Sequence, residues 1–332
     1  MLNQENTQAM NEFESRLDLG ALQEQISLLR GNISSVILGQ DALITQLIIG
    51  LLGRGHVLIE GVPGVAKTMA AKALARSVDA HFNRIQFTPD LMPSDVLGTT
   101  IYNQKTQDFE LRKGPIYANL VLIDEINRAP AKTQAALFEV MEEFQVSVDG
   151  QTILMQEPFM VLATQNPIEH EGTYRLPEAQ LDRFMMKIHV DYPAENDELH
   201  ILSMHQKAAG KNPITELQPV LTLTQLSEAR QLIRQVEAKE EVLGYINGII
   251  RGSRNFNGIF MGASPRAGVA LLQAAKVYAA INGRDFITPE DVKYCVLPVM
   301  RHRILLSPEK EMEGVHADSL IESLIMQVEV PR

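Results

Sequence analysis

Eight residues carry the clearest chemical signal in the sequence: Gly61-Val62-Pro63-Gly64-Val65-Ala66-Lys67-Thr68. A short apolar run, residues 57–60, precedes them, and an alanine-rich segment with helical periodicity, residues 69–78, follows. The sequence therefore predicts a strand, a glycine-containing loop and a helix, in that order. In this context successive backbone N–H groups and a helix N-terminus converge on one anion, so the stretch is typical of a loop that binds a polyphosphate.

Three positions of the loop have a more specific interpretation. Lys67 supplies a positive charge for the terminal phosphates, and the hydroxyl of Thr68 can bind Mg²⁺, the usual companion of a nucleoside triphosphate. Ala66 stands where the common pattern G-x-x-x-x-G-K-[ST] has its second glycine, and alanine can serve there if the residue has a helical φ angle. The alternative is a glycine-containing turn with a solvated lysine, which the flanking strand and helix disfavour.

Polar residues follow two further buried strands. The apolar run 120–123 leads directly into Asp124 and Glu125. A carboxylate at a strand's carboxyl end can hold Mg²⁺, the role we assign to Asp124, whereas Glu125 is placed to polarise a water for in-line attack on a γ-phosphoryl group. Asn166 follows the strand 159–164 and could orient water or contact the γ-phosphate, although an Asn before Pro is more often only a turn residue.

Two arginines lie outside these strand ends. Arg183 follows a short helical segment, and its pattern leaves it exposed; a surface arginine usually serves solubility, but phosphoryl transfer can use an arginine from a neighbouring subunit. Arg266 lies in the first turn of an alanine-rich helix that has Ser264 as N-cap and Pro265 at the next position. Because a positive charge at a helix N-terminus opposes the helix dipole, Arg266 is a candidate to point at an anion.

The chain divides by its periodicity into an α/β part and a helical part. Its 332 residues suggest about two domains. We expect a polar extension at residues 1–20, an α/β core at 21–192 and a helical domain at 193–332. Hairpins are predicted at about 98–113, interrupting a helix within 90–119, and at about 144–156, around the turn Asp149-Gly150. The strands are predicted at 57–60, 81–87, 120–123, 159–164 and 185–190, and the helices of the second part at 199–208, 226–236, 242–251 and 265–281.

The composition indicates an ordinary globular protein, with 45% hydrophobic and 21% charged residues. A net charge of −11 gives the whole chain no long-range attraction to nucleic acid or anionic lipid. The single cysteine, Cys295, excludes a disulfide framework within the chain or a cysteine metal cluster and suits a reducing compartment. The start of the sequence is not typical of a secretory signal, and no run reaches the roughly 18 apolar residues of a membrane span. We therefore expect a cytoplasmic protein.

Taken together, these motifs resemble those of the AAA+ ATPases and, within them, the MoxR family, over about residues 20–330. The resemblance implies an α/β fold, with a P-loop parallel-sheet core and a C-terminal all-α lid domain. The alanine before Lys67 is itself typical of the MoxR form of the loop. The family implies these roles: Walker A for the eight-residue loop, Walker B for 120–125, sensor 1 for Asn166, arginine finger for Arg183, sensor 2 for Arg266, and a segment near the adenine for Gly39-Gln40.

The resemblance also implies ligands and partners. It implies ATP and Mg²⁺ as cofactors and a homo-oligomeric ring, usually a hexamer, in which Arg183 completes a neighbour's site. The two hairpins resemble the helix-2 insert and the pre-sensor 1 hairpin of a clade that includes MCM helicases and magnesium chelatase subunits, and they would face the pore or one ring surface. The expected partner is a von Willebrand factor A domain protein, and the expected substrate a protein client. Whether Arg266 acts on its own or a neighbouring subunit's nucleotide is open.

Two other functions fit the same fold. One is a nucleic-acid motor like the MCM helicases, which the acidic balance disfavours; the first hairpin offers only Lys105 as a base near its tip, and residues 145–155 offer none. The other is a scaffold that binds ATP without hydrolysing it. Glu125, Asn166 and Arg183 argue against that function.

Overall fold

The computed structural model describes residues 17–62, 64–166, 174, 176–207 and 212–331. Its centre is a five-stranded parallel sheet with the strand order β2-β5-β8-β1-β9. All five strands were predicted from the sequence and differ from the prediction by at most two residues at either end. The strands are β1 His56–Gly61, β2 Phe82–Gln86, β5 Leu120–Asp124, β8 Met160–Gln165 and β9 Phe184–Val190.

Both faces of the sheet are covered, as the continuous apolar character of its strands requires. In β1, Val57 and Ile59 belong to a core shared with the first three helices, whereas Leu58 belongs to a second core that includes Leu137 and Phe138 of the fifth helix. This alternation follows from the two-residue period of a strand. The helices of this part are α1 Gly20–Ser34, α2 Asp41–Leu52, α3 Lys67–Ser77, α4 Pro93–Leu97, α5 Ala131–Glu143 and α6 Glu178–Leu181, with a 3₁₀ turn at Ile126–Arg128.

Both predicted hairpins are present. The first pairs β3 (Gly98–Asn103) with β4 (Asp108–Lys113), and the second pairs β6 (Gln145–Val148) with β7 (Gln151–Leu154). Asp149 and Gly150 both have positive φ angles, 49° and 79°, which is the geometry of a two-residue type I′ turn.

The helix predicted around the first hairpin exists on one side only. Helix α4 precedes β3, but residues 114–119 after β4 form turns. Gly114 approaches the α4 backbone so closely that a Cβ atom there would lie 2.2 Å from the carbonyl oxygen of Val96. Pro115 follows, and it restricts its predecessor to non-helical angles. The chain therefore returns to the sheet without a second helical turn.

The C-terminal part is helical, with one short sheet that the sequence did not indicate. The helix predicted at 199–208 begins four residues earlier, at Glu195, and residue 208 lies outside the described residues. The boundary near residue 192 stays a prediction, since the later helices share one apolar core with α1 and α2. The elements are α7 Glu195–Lys207, a 3₁₀ turn at Pro213–Glu216, α8 Leu223–Arg234, α9 Glu240–Ser253, β10 Ile259–Met261, α10 Pro265–Ile281, α11 Pro289–Met300, β11 Leu305–Leu306, α12 Pro308–Met312 and α13 Ala317–Gln327.

Within the described ranges, no helix combines the length and the apolar character that crossing a membrane needs. The predicted extension at residues 1–20 lies almost entirely outside those ranges, which begin at residue 17.

A buried histidine joins three elements at the amino end of the sheet. His56 Nδ1 accepts a hydrogen bond from the Val161 N–H at 2.9 Å, and Nε2 lies 3.0 Å from the carbonyl oxygen of Met141 in α5. Only the neutral ring with its proton on Nε2 satisfies both contacts. Burial lowers the pKa of His56 to about 4, although the hydrogen bond to Met141 acts in the opposite direction. Burial and the charge of Arg303 also lower the pKa of His302 well below its ordinary value.

We expect the folded state to lose stability as the pH falls below the ordinary histidine pKa of 6.5. Between pH 6.5 and 4 the unfolded chain protonates these histidines and the folded chain does not, so protons favour unfolding. His56 should account for about 2 kcal/mol between pH 7 and pH 5. Urea unfolding of wild type and His56→Gln at both pH values measures that difference. The exposed His200→Gln is the control, and a pH dependence equal in all three proteins would contradict the expectation.

Candidate functional site

The loop after β1 is held against the carboxyl ends of two strands. Lys67 begins α3, and its Nζ donates hydrogen bonds to the carbonyl oxygens of Gly61 at 2.5 Å and Gln165 at 3.3 Å. Gly61 has no room for a side chain, since a Cβ atom would lie 2.5 Å from the carbonyl oxygen of Val190. Val65 is buried and anchors the loop in the core, whereas Pro63 lies outside the described residues. The lysine ammonium is thus fixed at the ends of β1 and β8.

Ala66 does not have the helical φ angle that the sequence suggested. Its φ is +59°, in the left-handed region, and α3 begins one residue later. That conformation costs a residue with a side chain about 1 kcal/mol, a cost that glycine avoids. Alanine keeps the added side chain as small as an L-residue allows. The condition given for alanine at this position is therefore not met, and Ala66 is a strained position next to the lysine.

Asp124 is the best-anchored carboxylate of this edge. Its side chain is buried, Oδ1 accepts hydrogen bonds from the hydroxyls of Thr68 at 3.3 Å and Thr164 at 3.1 Å, and Oδ2 pairs with Arg84 Nε at 2.5 Å. A threonine hydroxyl beside a carboxylate offers Mg²⁺ two hard oxygen ligands, and Mg²⁺ in nucleotide sites takes its other ligands from phosphate and water. Thr68 and Asp124 therefore fit the predicted magnesium site.

Glu125 is held in an unusual backbone conformation. Its φ is +58°, and its N–H donates to the Thr164 hydroxyl at 3.1 Å. Its Oε2 accepts a hydrogen bond from Gln86 Nε2 at 3.1 Å and lies 2.8 Å from Arg128 Nε. A left-handed glutamate is strained, and such strain is common where a side chain must be aimed. The carboxylate is about one-third exposed, so it can contact water.

Asn166 is buried at the end of β8. Strand β8 lies between β5 and β1 in the sheet, so the carboxyl ends that carry Asp124, Asn166 and the loop are neighbours. The structure thereby brings together the residues predicted to bind phosphate, metal and water. We call this edge of the sheet the loop edge.

The predicted adenine segment lies beside the same edge. Gln40 Nε2 donates to the carbonyl oxygen of Asp191 at 2.9 Å, directly after β9. Gly39 has a φ of +68°, and a Cβ atom there would lie 2.6 Å from a carboxylate oxygen of Asp197, so only glycine fits. A cleft of about 230 Å³ adjoins Gly61 and Asp191. The location suits the predicted role of Gly39 and Gln40.

An ion-pair group ties β9 to β1 below the loop. Glu60 lies 2.8 Å from Lys187 Nζ and 2.9 Å from His189 Nε2. Burial would raise the pKa of Glu60, but the contacts with His189 and Lys187 outweigh it and lower the pKa to about 2. Glu60 is therefore a carboxylate at neutral pH, and its ion pairs with β9 fix the end of β1 directly before the loop.

Arg183 lies at the opposite edge of the sheet. It precedes Phe184, which pairs with His56, the first residue of β1, whereas the loop follows Gly61, the last. The six residues of β1 rise about 3.3 Å each, so the two edges are about 17 Å apart. Arg183 is half-buried instead of exposed: Nη1 lies 2.8 Å from Glu142 Oε2 and donates to the Phe138 carbonyl. It cannot reach the phosphates of its own loop.

Arg266 joins Arg183 at this second edge, which we call the arginine edge. Arg266 Nη2 pairs with Glu142 Oε1, so Glu142 binds both arginines. Ser264 occupies the N-cap position as predicted, but its hydroxyl donates to Asp182 at 3.1 Å instead of capping α10. A cleft of about 310 Å³ is lined by Glu142, Asp182, Arg183 and Arg266, together with residues that include Arg54 and His56.

Several residues of both edges were missed by sequence reasoning. At the loop edge, the polar residues near the ends of β2 and β8 could have indicated Arg84, Gln86 and Thr164 as candidates. At the arginine edge no local pattern marked the partners, because they meet only in the fold. The missed residues are Arg84, Gln86, Arg128 and Thr164 at the loop edge, and Glu142, Asp182 and the buried Arg303 at the arginine edge.

Comparisons with known proteins agree with this geometry. Residues 56–186 match the ATPase family associated with various cellular activities (AAA), and residues 252–324 match the AAA lid domain. The chain is 45% identical to the uncharacterized protein YeaC of Bacillus subtilis, over 94% of the chain and 98% of YeaC. It is 41% identical to Chaperone MoxR1 of Mycobacterium tuberculosis, over 90% of the chain and 81% of MoxR1.

A solved structure extends the likeness to three dimensions. A protein from Cytophaga hutchinsonii that is inferred to be an ATPase superposes with a TM-score of 0.88 at 39% identity, covering 99% of both chains. The family matches to the AAA and AAA lid domains and the 41% identity to MoxR1 over 90% of the chain agree with the parallel sheet and its helical lid. The chain belongs to the MoxR family of AAA+ ATPases.

Proposed function

We propose that this protein is a Mg²⁺-dependent ATP hydrolase that assembles as a ring, usually of six subunits in its family, and remodels protein clients. The observation that carries the proposal is the separation of the two edges. Arg183 and Arg266 lie at the amino end of the sheet, about 17 Å from the loop, as the length of β1 implies. We propose that each active site combines the loop edge of one subunit with the arginine edge of the next.

The loop edge holds the nucleotide and the attacking water in this proposal. Backbone N–H groups of the loop and Lys67 bind the phosphates, and Thr68 and Asp124 hold the metal, which neutralises charge on the phosphate oxygens. Glu125 orients the water and takes its proton, aimed by its contacts with Gln86 and Arg128. Asn166, at the neighbouring strand end, contacts the γ-phosphate or this water.

The arginine edge stabilises the transition state. Negative charge on the transferring phosphoryl group meets the guanidinium groups of Arg183 and Arg266 from the adjacent subunit. Both arginines contact Glu142, so they belong to one edge and act on the same neighbour. On this arrangement Arg266 acts in trans, like Arg183.

The exposed apolar side chains of the first hairpin favour a protein as the client. Tyr102 and Phe109 form an edge-to-face pair, with 5.3 Å between ring centroids, and both are largely exposed on one face of the hairpin; Ile101, which precedes Tyr102 in the strand, is exposed on the other face. Exposed apolar groups in one place mark interaction surfaces for protein. A relative is named a chaperone, and we propose the same role here, with a von Willebrand factor A domain partner as in the family. The lone, buried Cys295 is consistent with action in the cytoplasm.

Glu125→Gln should abolish ATP turnover while leaving ATP binding intact. The variant keeps the size of the side chain but cannot accept the proton, so phosphate release should fall by about 100-fold or more. Steady-state phosphate release and binding of a fluorescent ATP analogue measure the two properties. Glu143→Gln, which removes the same charge from an exposed position in α5, is the control. Normal hydrolysis by Glu125→Gln would show that Glu125 is not the catalytic base.

Mixing two inactive variants tests the shared site. Arg183→Ala and Glu125→Gln should each be inactive alone, since one lacks the arginine and the other the base. In a randomly mixed ring about a quarter of the sites join an intact loop edge to an intact arginine edge, so activity should return to about that fraction of wild type. Phosphate release from the mixture measures it. If both variants bind ATP and co-assemble yet no activity returns, the site is complete within one chain.

A further inference from the structure

We infer that Glu142 is a positioning residue: its carboxylate holds Arg183 and Arg266 together as one receptor for the triphosphate bound by a neighbouring copy of this chain. The inference rests on the trans arrangement proposed above and adds to it a residue that acts through the two arginines and contacts neither the nucleotide nor the attacking water.

The contact is a bridge in which each carboxylate oxygen takes one arginine. Oε2 lies 2.8 Å from Arg183 Nη1, and Oε1 accepts from Arg266 Nη2. Arg183 also donates to the carbonyl of Phe138, one helical turn before Glu142 in α5. A single rigid helix therefore fixes one guanidinium at two points and the second at one. Arg183 directly precedes β9 and Arg266 lies in the first turn of α10, so the bridge brings together guanidinium groups from two distant segments of the chain.

The balance of charges around this bridge favours the binding of an anion. Among the other arginines of the cleft, Arg54 pairs with Glu157 and Arg303 pairs with Asp182. Among the residues that the structure describes, Glu142 is the one carboxylate paired with Arg183 and Arg266, so it leaves one of their two positive charges without a counter-charge there. Each guanidinium has five N–H donors, and the bridge uses only a few of them. The remaining donors and the excess charge suit a phosphate group, which arginine binds through paired hydrogen bonds.

The backbone beside both arginines is fixed independently of Glu142. Asp182 precedes Arg183, accepts a hydrogen bond from Ser264 at 3.1 Å, and is held by Arg303 at 2.6 Å. Ser264 lies two residues before Arg266. The contact between Asp182 and Ser264 thus connects the two chain segments next to the arginines, and Glu142 connects the guanidinium groups at the ends of the arginine side chains. Long arginine side chains lose much conformational freedom when placed for catalysis, so a device that holds them beforehand speeds the chemical step.

Stability is a poor explanation for the bridge. The side chains of Arg183 and Glu142 are 28% exposed and that of Arg266 is 57% exposed. Ion pairs with this exposure contribute little to the free energy of unfolding. Without the carboxylate the two guanidinium groups would repel each other and separate, which changes their placement far more than the stability of the fold.

Glu142→Gln should lower kcat by about tenfold or more and leave binding of an ATP analogue unchanged, because the loop edge is intact. Glu142→Asp should stay slow as well, since a side chain one methylene shorter cannot reach both arginines. Glu143→Gln is the matched control in the same helix. Wild-type turnover by Glu142→Gln overturns the inference. Wild-type turnover by Glu142→Asp overturns it as well, and this second test stands even if Glu142→Gln fails to fold.

Mixed rings assign the defect to an edge. Glu142→Gln combined with Glu125→Gln should regain activity, because the loop edge of the first meets the arginine edge of the second. Glu142→Gln combined with Arg183→Ala should show no gain over the separate proteins, because both defects lie on the arginine edge. The opposite pattern overturns the inference. If Arg183→Ala with Glu125→Gln regains activity but Glu142→Gln behaves as wild type, only the role of Glu142 fails; if that first pair shows no recovery, the trans arrangement itself fails.

Discussion

Every strand of the central sheet runs in the same direction, and this shared direction separates the chemistry of the chain into two places. Residues that follow strands collect at one edge, and residues that precede them collect at the other. The phosphate loop follows β1, whereas Arg183 precedes β9 beside the start of β1. No rotation of a side chain bridges that distance. The helices, hairpins and lid are arranged around a sheet that holds its two functional edges apart.

The strand order gives the loop edge its composition. Strands β5, β8 and β1 are distant in sequence but adjacent in the sheet, so Asp124, Asn166 and Lys67 become neighbours. A buried carboxylate is costly unless hydrogen-bond donors surround it, and Asp124 has two threonine hydroxyls and Arg84 around it. Those donors also fix its orientation. The predicted metal site and the stability of the buried charge therefore depend on the same contacts.

The sequence predicted the secondary-structure elements well where a local pattern carried the information. The five strands have strong apolar runs, and Asp149-Gly150 specifies its turn through backbone geometry. Ala66 was located correctly but explained wrongly, because periodicity shows where a helix lies and not which φ angle its N-cap adopts. The hydroxyl of Ser264 was expected to cap a helix and instead binds Asp182. Glu142 has no signature at all: a glutamate in the last turn of an amphipathic helix is ordinary until the fold brings two arginines to it.

The length of β1, about 17 Å, has a consequence for symmetry if each active site combines a loop edge with an arginine edge as proposed. A two-fold axis would place identical edges face to face, loop against loop or arginine against arginine, and neither pair makes a complete site. The shared site proposed above therefore requires heterologous association, with unlike surfaces in contact. Such contacts either close by rotation into a ring or continue as an open helix, so the angle between adjacent subunits decides whether every loop edge finds an arginine edge or one at each end is left without a neighbour.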